Sequence, residues 1–282
     1  MNRLYGLHTS IAGDLRNAIK EAKTLGCTTF QIFLQSPRNW SHRKVSEKEI
    51  LEFKNTFLES GISFFIVHCS YLINLLSLRK EVVKKSLELI NFELGMSAAI
   101  GASYYVLHLR ENREEAFEKQ HEKLIESLNL IDYKGSCRIL IENSAGGTGF
   151  SNLGKLARVY LGLKNKFEFL GGLCLDTAHL FAAGYRFDKE GCKIIVNELG
   201  SAVYDVRLLH LNDCACTPGS GVDRHAHLGS GNIGLAGLRR FLLLPEFKNL
   251  PVILETPRST IEDDVRNLKT LLEVLLNDEE SR

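Results

Sequence analysis

A single (β/α)8 TIM barrel is the fold class this sequence predicts, on three observations. Short apolar runs rich in β-branched and aromatic residues alternate with longer amphipathic stretches, which is the rhythm of βα units. There are eight such runs, and 282 residues suit one barrel domain, 1–282. No Gly-x-Gly-x-x-Gly follows the first run, which weakens an open dinucleotide-binding sheet.

In order, the strand candidates are "LYGLH" (4–8), "TTFQIFL" (28–34), "SFFIVH" (63–68), "SYYVLH" (103–108), "RILIE" (138–142), "GGLCLD" (171–176), "VRLLH" (206–210) and "PVILE" (251–255). The stretches between them carry helix starts. Ser46 stands three residues before Glu49 ahead of "ILEFKNTFLES", a capping-box spacing, and Thr260 is the N-cap candidate of the closing helix "TIEDDVRNLKTLLEVLLNDEE". No low-complexity tract or Pro-rich linker divides the chain.

With 44% apolar residues, 24% charged residues and a net charge of +1, the composition leans toward neither nucleic acid nor a membrane surface. The N-terminal "MNRLYGLHTS" lacks a signal-peptide core, and no apolar run reaches the ~18 residues of a membrane span. The expectation is a soluble, cytoplasmic chain with no membrane partner. Seven cysteines without a CxxC pair read as reduced thiols, with Cys214 and Cys216 the lesser candidates for a soft metal.

Barrel active sites are built at the C-terminal ends of strands. Seven of the eight runs end there in a histidine or carboxylate: His8, His68, His108, Glu142, Asp176, His210 and Glu255. A lone histidine after an apolar run is more often a hydrogen-bonded core or loop residue than a ligand. Seven converging on one mouth would be costly unless paired or metal-bound, and histidine with carboxylate is the donor mixture of catalytic zinc, manganese or iron sites. Asp176 and His179 can face the same cavity if a helical turn starts at the strand end. In "VDRHAHLGSGNIG" (222–234), Asp223 and His225 share a face only if the backbone is extended, and His227 would then share it too.

These residues sit in motifs that resemble the endonuclease IV family, the zinc-dependent apurinic/apyrimidinic endonucleases of base-excision DNA repair: "GLHTSIAG", "HCSYLINL", "LIENSAG", "CLDTAHLFAAGY", "LLHLND", "VDRHAHLGSGNIG" and "VILET". The resemblance runs through nearly the whole chain. It implies a barrel holding three zinc ions (manganese being admissible at one site), with His68 and His108 on one ion and Glu142 bridging to a second. The second ion would also take Asp176, His210 and Glu255, and the third His179, Asp223 and His225. It further implies a hydroxide that attacks the phosphodiester 5′ to an abasic site in duplex DNA, leaving 3′-hydroxyl and 5′-deoxyribose phosphate ends, with removal of 3′-blocking groups as a related activity. Glu142 is then a bridging catalytic ligand rather than a free base. For DNA contact the resemblance points to Arg38, Tyr71 and Leu72, the last two equally readable as packing under their loop. A monomer acting on DNA in the cytoplasm, at the nucleoid, is the implied state.

The chain departs from the family where His-Pro-Gly is usual and His108-Leu109-Arg110 stands here, which predicts a different loop path and offers Arg110 as a phosphate contact. Cys69 beside His68 predicts oxidant sensitivity if its thiol is exposed. His227 is left as a ligand's partner, a phosphate contact or a bystander. Basic residues at His42, Arg43 and Lys44, and in "LRKEVVKK" (78–85), read chiefly as solvated faces. The rival function is a metal-dependent sugar isomerase or epimerase of the same barrel type, which needs fewer ions. A non-catalytic module that binds damaged DNA is a third, disfavoured by the intact ligand set.

Overall fold

A computed structural model describes residues 3–41, 44–110, 115–146 and 149–276; His42 and Arg43 lie outside the described residues. Each predicted run forms a strand. The first half comprises β1 (Tyr5–Leu7), α1 (Arg16–Thr24), β2 (Thr29–Ile32), α2 (Glu47–Ser60), β3 (Phe64–His68), α3 (Lys80–Ile100), β4 (Tyr104–His108) and α4 (Phe117–Asn129). The second comprises β5 (Arg138–Glu142), α5 (Leu153–Leu163), β6 (Leu170–Asp176), α6 (Thr177–Ala182), α7 (Lys189–Leu199), a 3-10 turn (Gly200–Asp205) and β7 (Val206–His210). A two-residue ladder of β8 (Asp213–Cys214) and β9 (His225–Ala226), then α8 (Gly234–Leu242), β10 (Val252–Leu254) and α9 (Ile261–Leu276), complete it. The β8/β9 ladder is antiparallel and was not among the expected strands.

The eight long-range strands pair in parallel in the order β1-β10-β7-β6-β5-β4-β3-β2. The two edges meet through a parallel bridge of His8 with Gln31, supported by Thr9 N–H to the Gln31 carbonyl (2.8 Å) and Thr28 N–H to the Tyr5 carbonyl (2.9 Å). Gly6 makes that closure fit: a Cβ there would lie 1.8 Å from the Thr29 carbonyl oxygen.

Period-two alternation sorts each strand into an inner and an outer face. Ile66, Val106, Leu140, Cys174, Leu208 and Ile253 fill the barrel interior, while Phe65, Tyr105, Ile139, Leu173 and Leu209 pack outward against the helices. Two residues beyond each of the six interior residues stand His68, His108, Glu142, Asp176, His210 and Glu255. The same alternation that fills the barrel therefore turns all six toward its mouth.

Capping follows the sequence. Ser46 Oγ accepts the Glu49 N–H (3.2 Å), and Asp263 accepts the Thr260 N–H (3.2 Å) ahead of α9.

Candidate metal centre

Asp176 ends β6 and is the N-cap of α6, its Oδ1 accepting the His179 N–H at 2.8 Å. Strand end and helical turn thus place both side chains on one cavity. Asp223 comes from the segment between β8 and β9, and His225 from β9 itself. The cavity, about 640 Å³, is lined among others by His68, His108, Glu142, His179, Asp223, His225 and Glu255, with buried Asp176 and His210 beneath. All nine expected ligands are gathered there.

Four imidazoles have one ring nitrogen fixed by an oxygen. His68 Nδ1–H donates to the Cys69 carbonyl (2.9 Å), His179 Nδ1–H to that of Asn143 (3.0 Å), His225 Nδ1–H to that of Glu255 (3.0 Å), and His210 Nε2–H to the Gln31 amide oxygen (2.9 Å). Each bond sets the tautomer and leaves the other nitrogen's lone pair toward the carboxylates, the arrangement that outer partners impose on metal-binding histidines.

Those nitrogens stand close to carboxylate oxygens. His68 Nε2 is 3.3 Å from Glu142 Oε2; His210 Nδ1 is 2.8 Å from Glu142 Oε1 and 3.2 Å from Glu255 Oε2. His179 Nε2 and His225 Nε2 lie 3.3 and 3.2 Å from the two oxygens of Asp223. Lone pair facing lone pair at such distances needs a proton or a cation between them.

Without metal, protons take that place. Burial alone would raise the Glu142 carboxyl, but His210, His68 and His179 hold it well below its ordinary range. Burial works against charge on His225 too, yet Asp176 and Asp223 push it up to about 9. His108, with weaker compensation, is pushed down to about 4 by burial.

The donor set also fits metal. His108, His179 and His225 each keep a buried Nε2 that makes no hydrogen bond, the last two with an Asp223 oxygen 3.3 and 3.2 Å away. Four groups of ligand atoms lie within 4.8 Å of one another: Glu142, Asp176, His210 and Glu255; Asp176, His179 and His225; His68, Glu142 and His210; His108, Glu142 and His179. The first has the composition of the expected second set; the second shares His179 and His225 with the expected third set but holds Asp176 in place of Asp223, whose two oxygens lie 3.3 and 3.2 Å from those histidines. His68 and His108 meet through Glu142. No cysteine joins a group among the described residues, so Cys214 and Cys216 are outside the centre.

His227 turns away, contrary to the extended-face expectation, because β9 ends at Ala226. Asn267 of α9 donates to its Nδ1 (3.0 Å), and Asp263 lies 3.9 Å from its Nε2. Cys69 is buried, 2% exposed, with its Sγ accepting the His108 N–H (3.4 Å), so the condition for oxidant sensitivity is not met.

At the departure from His-Pro-Gly, Leu109 is buried and its carbonyl accepts from Ser144 Oγ (2.7 Å). Arg110 donates to the Tyr71 carbonyl (3.0 Å), tying this loop to the one after β3. Tyr71 is 52% exposed at the rim, its ring edge-on to Phe33. Leu72 is half-buried in a neighbouring cavity with Trp40, and Arg38 is exposed after β2. In the 78–85 segment, Lys84 pairs with Glu88 (4.0 Å) and Lys85 lies over Trp40 (5.8 Å).

Sequence reasoning missed the residues that hold the ligands. Gln31 bonds His210, and its amide also donates to Glu255 Oε1 (2.6 Å) and His8 Nδ1 (3.1 Å). Asn212 donates to Asp176 Oδ2 (2.6 Å) and accepts the Glu255 N–H (2.8 Å). Asp213 accepts the N–H groups of Cys214, Gly229, Gly231, Ile233 and Gly234, shaping the glycine-rich turn at 229–234. Gln31 stands as an amide inside an apolar run, and Asn212 and Asp213 follow His210 by two and three residues, positions with no distinctive pattern of their own.

A family profile described as "Xylose isomerase-like TIM barrel" matches residues 19–277. A probable endonuclease 4 of Methanoculleus marisnigri is 35% identical over 282 residues, covering 96% of this chain and 98% of that protein. The solved endonuclease IV of Thermus thermophilus superposes with a TM-score of 0.84 at 35% identity, over 97% of this chain and 99% of that one. The chain belongs to the endonuclease IV family. A probable endonuclease 4 of Aquifex aeolicus, 34% identical over 98% of this chain and 99% of the relative, agrees. A D-tagatose 3-epimerase-like protein also superposes, with a TM-score of 0.72, but at 19% identity it shares the barrel alone. Family membership makes the chain a nuclease, a hydrolase of the DNA-repair class.

Proposed function

We propose that this 282-residue chain is one catalytic domain that hydrolyses the phosphodiester 5′ to abasic sites in duplex DNA and removes 3′-blocking groups by the same chemistry. Three zinc ions, with manganese admissible at one position, would be held by His68, His108 and Glu142, by Glu142, Asp176, His210 and Glu255, and by His179, Asp223 and His225. It acts as a monomer in the cytoplasm, on nucleoid DNA.

The observation that carries this reading is the place of Glu142, whose Oε1 faces His210 (2.8 Å) and His179 (3.6 Å) while Oε2 faces His68 (3.3 Å). One carboxylate thereby serves both sides of the ligand ring, as a multi-ion centre requires. Zinc bound here supplies Lewis acidity, which makes water nucleophilic at neutral pH and polarises phosphoryl oxygens. Four carboxylates would by themselves repel a phosphodiester; three divalent ions turn that charge into a net of about +2. Glu142 orients the reacting centre, and the outer bonds from Gln31, Asn143 and Asn212 keep the ligands in place. An abasic nucleotide, lacking stacking and pairing, leaves the helix at little cost. Tyr71 and Leu72 wedge the stack while Arg38 fills the gap.

A labelled duplex with one abasic site tests this. Incision that leaves a 3′-hydroxyl directly 5′ of the lesion, stops after prolonged chelation, and falls by at least about a thousandfold in Glu142→Ala is the expected result. A β-elimination product, or near-normal turnover of zinc-loaded Glu142→Ala, overturns it.

A further inference from the structure

Beside the metal centre lies a second cavity, about 740 Å³, between the loops that follow β1 and β2. This is within the ~300–1,000 Å³ of small-ligand sites. Gln35 lines it at 7% exposure, and neither its amide nitrogen nor its amide oxygen has a hydrogen-bond partner. A buried amide left unsatisfied at both ends is rare and costly, which marks a place awaiting a partner.

His8 lines the same cavity. Its Nδ1 takes the Gln31 amide proton (3.1 Å), so the neutral ring carries its own proton on Nε2, and that nitrogen too is buried without a partner.

The remaining wall tells against an anion. Arg258, the cation among its described lining residues, is spent on Glu21 (2.5 Å) and Asp264 (2.9 Å). Ile11, Phe33 and Pro37 add apolar surface. An uncharged donor and acceptor pair beside an aromatic ring suits a flat, neutral ligand that offers the same pair in return. Glutamine pairs with base edges in this way.

We propose that this cavity is a nucleobase subsite, with the Gln35 amide reading the edge of a base and His8 Nε2–H donating to it. His8, Phe33 and Arg258 also line the metal-centre cavity, so the base belongs to a nucleotide next to, or opposite, the one at the metals. The proposal rests on the reading of this protein as a DNA-cleaving enzyme; the test below separates the two.

The holoenzyme and Gln35→Leu are titrated with a duplex carrying one abasic site and a non-hydrolysable phosphonate at the scissile position. Three further duplexes lack, in turn, the base of the 5′ neighbour, the 3′ neighbour or the opposite nucleotide. The wild type is expected to lose about tenfold in affinity for one of the three, and Gln35→Leu less than twofold for that same duplex. Equal losses in both proteins across all three overturn the subsite. Free nucleosides form the second arm: binding by the wild type that Gln35→Leu abolishes, without coupling in the duplexes, keeps the base-reading site and assigns it to free nucleosides. If leucine prevents folding, Gln35→Met replaces it. Coupling in a protein that does not incise the hydrolysable duplex would sink the activity and keep the subsite; incision with neither coupling nor nucleoside binding would do the reverse.

Discussion

His227 and Gln31 show how single side chains divide between ligand and support. His227 stands two residues after His225, yet its bond to Asn267 makes it a tie between the glycine-rich turn and α9. His227→Ala is expected to keep the full zinc content by elemental analysis while lowering the melting temperature by a few degrees; loss of one zinc would show the ligand set to be misassigned. Gln31 is an uncharged residue with three bonds into the centre, fixing the His210 tautomer, Glu255 and His8. Gln31→Leu should retain the fold but bind zinc roughly 10–100-fold more weakly at the site that uses His210 and Glu255, read by chelator competition. Unchanged affinities would leave Gln31 a barrel-closing residue only.

Among the elements, the loop after β3 is held from two sides. Arg110 grips the Tyr71 carbonyl from the loop after β4, and Glu93 of α3 reaches the Ser70 N–H (3.4 Å) while accepting from Tyr105 Oη of β4 (2.6 Å). Burial pushes Glu93 up to about 7, against the opposing hydrogen bonds from Tyr105 and Ser70. Its folded-state pKa lies above the ordinary 4.5, so its contribution to stability is full below that pH and is lost as pH rises through about 7. Glu93→Gln keeps an acceptor for Tyr105 without the charge. In urea unfolding of chelated protein, the variant should gain on the wild type between pH 4.5 and 8, by up to about 3 kcal/mol. A difference that does not vary with pH would show that Glu93 ionises freely.

For the molecule as a whole, metal and fold are linked. The mouth collects ionisable groups from six barrel strands, α6, the segment before β9 and β9 itself, and without metal only shared protons and amide hydrogen bonds compensate them. Zinc at about a thousand times its Kd adds roughly 4 kcal/mol per site. Prolonged chelation should therefore lower the melting temperature by about 10 °C or more, and zinc should restore it along a titration that ends at three equivalents. An end point at one equivalent would contradict the ligand partition. No helix among the described residues is long and apolar enough to cross a membrane.

All eight barrel strands, and the turning of six of the nine proposed ligands toward the mouth, could be read from the chain, because in a barrel both follow from one local rule; the same rule also picked His8, which stands outside the proposed ligand set. Alternation turns every second residue inward, so an apolar residue followed two places later by histidine or carboxylate announces the mouth, as in Ile66 with His68 or Leu208 with His210. Asp176 with His179 followed from the equally local rule of a helix start. Gln31 was passed over because an amide in an apolar run has no distinctive local pattern; its three partners lie 23, 179 and 224 residues away in the chain. His227 was ambiguous because the end of β9 and the approach of Asn267 are set by how the last helix packs. Local periodicity thus determined the strands and which residues face the mouth. Tertiary structure alone decided which nitrogen of each histidine faces a carboxylate, which residues hold them, and that Gln35 and His8 share a second cavity, since each depends on contacts between strands and loops that the sequence keeps far apart.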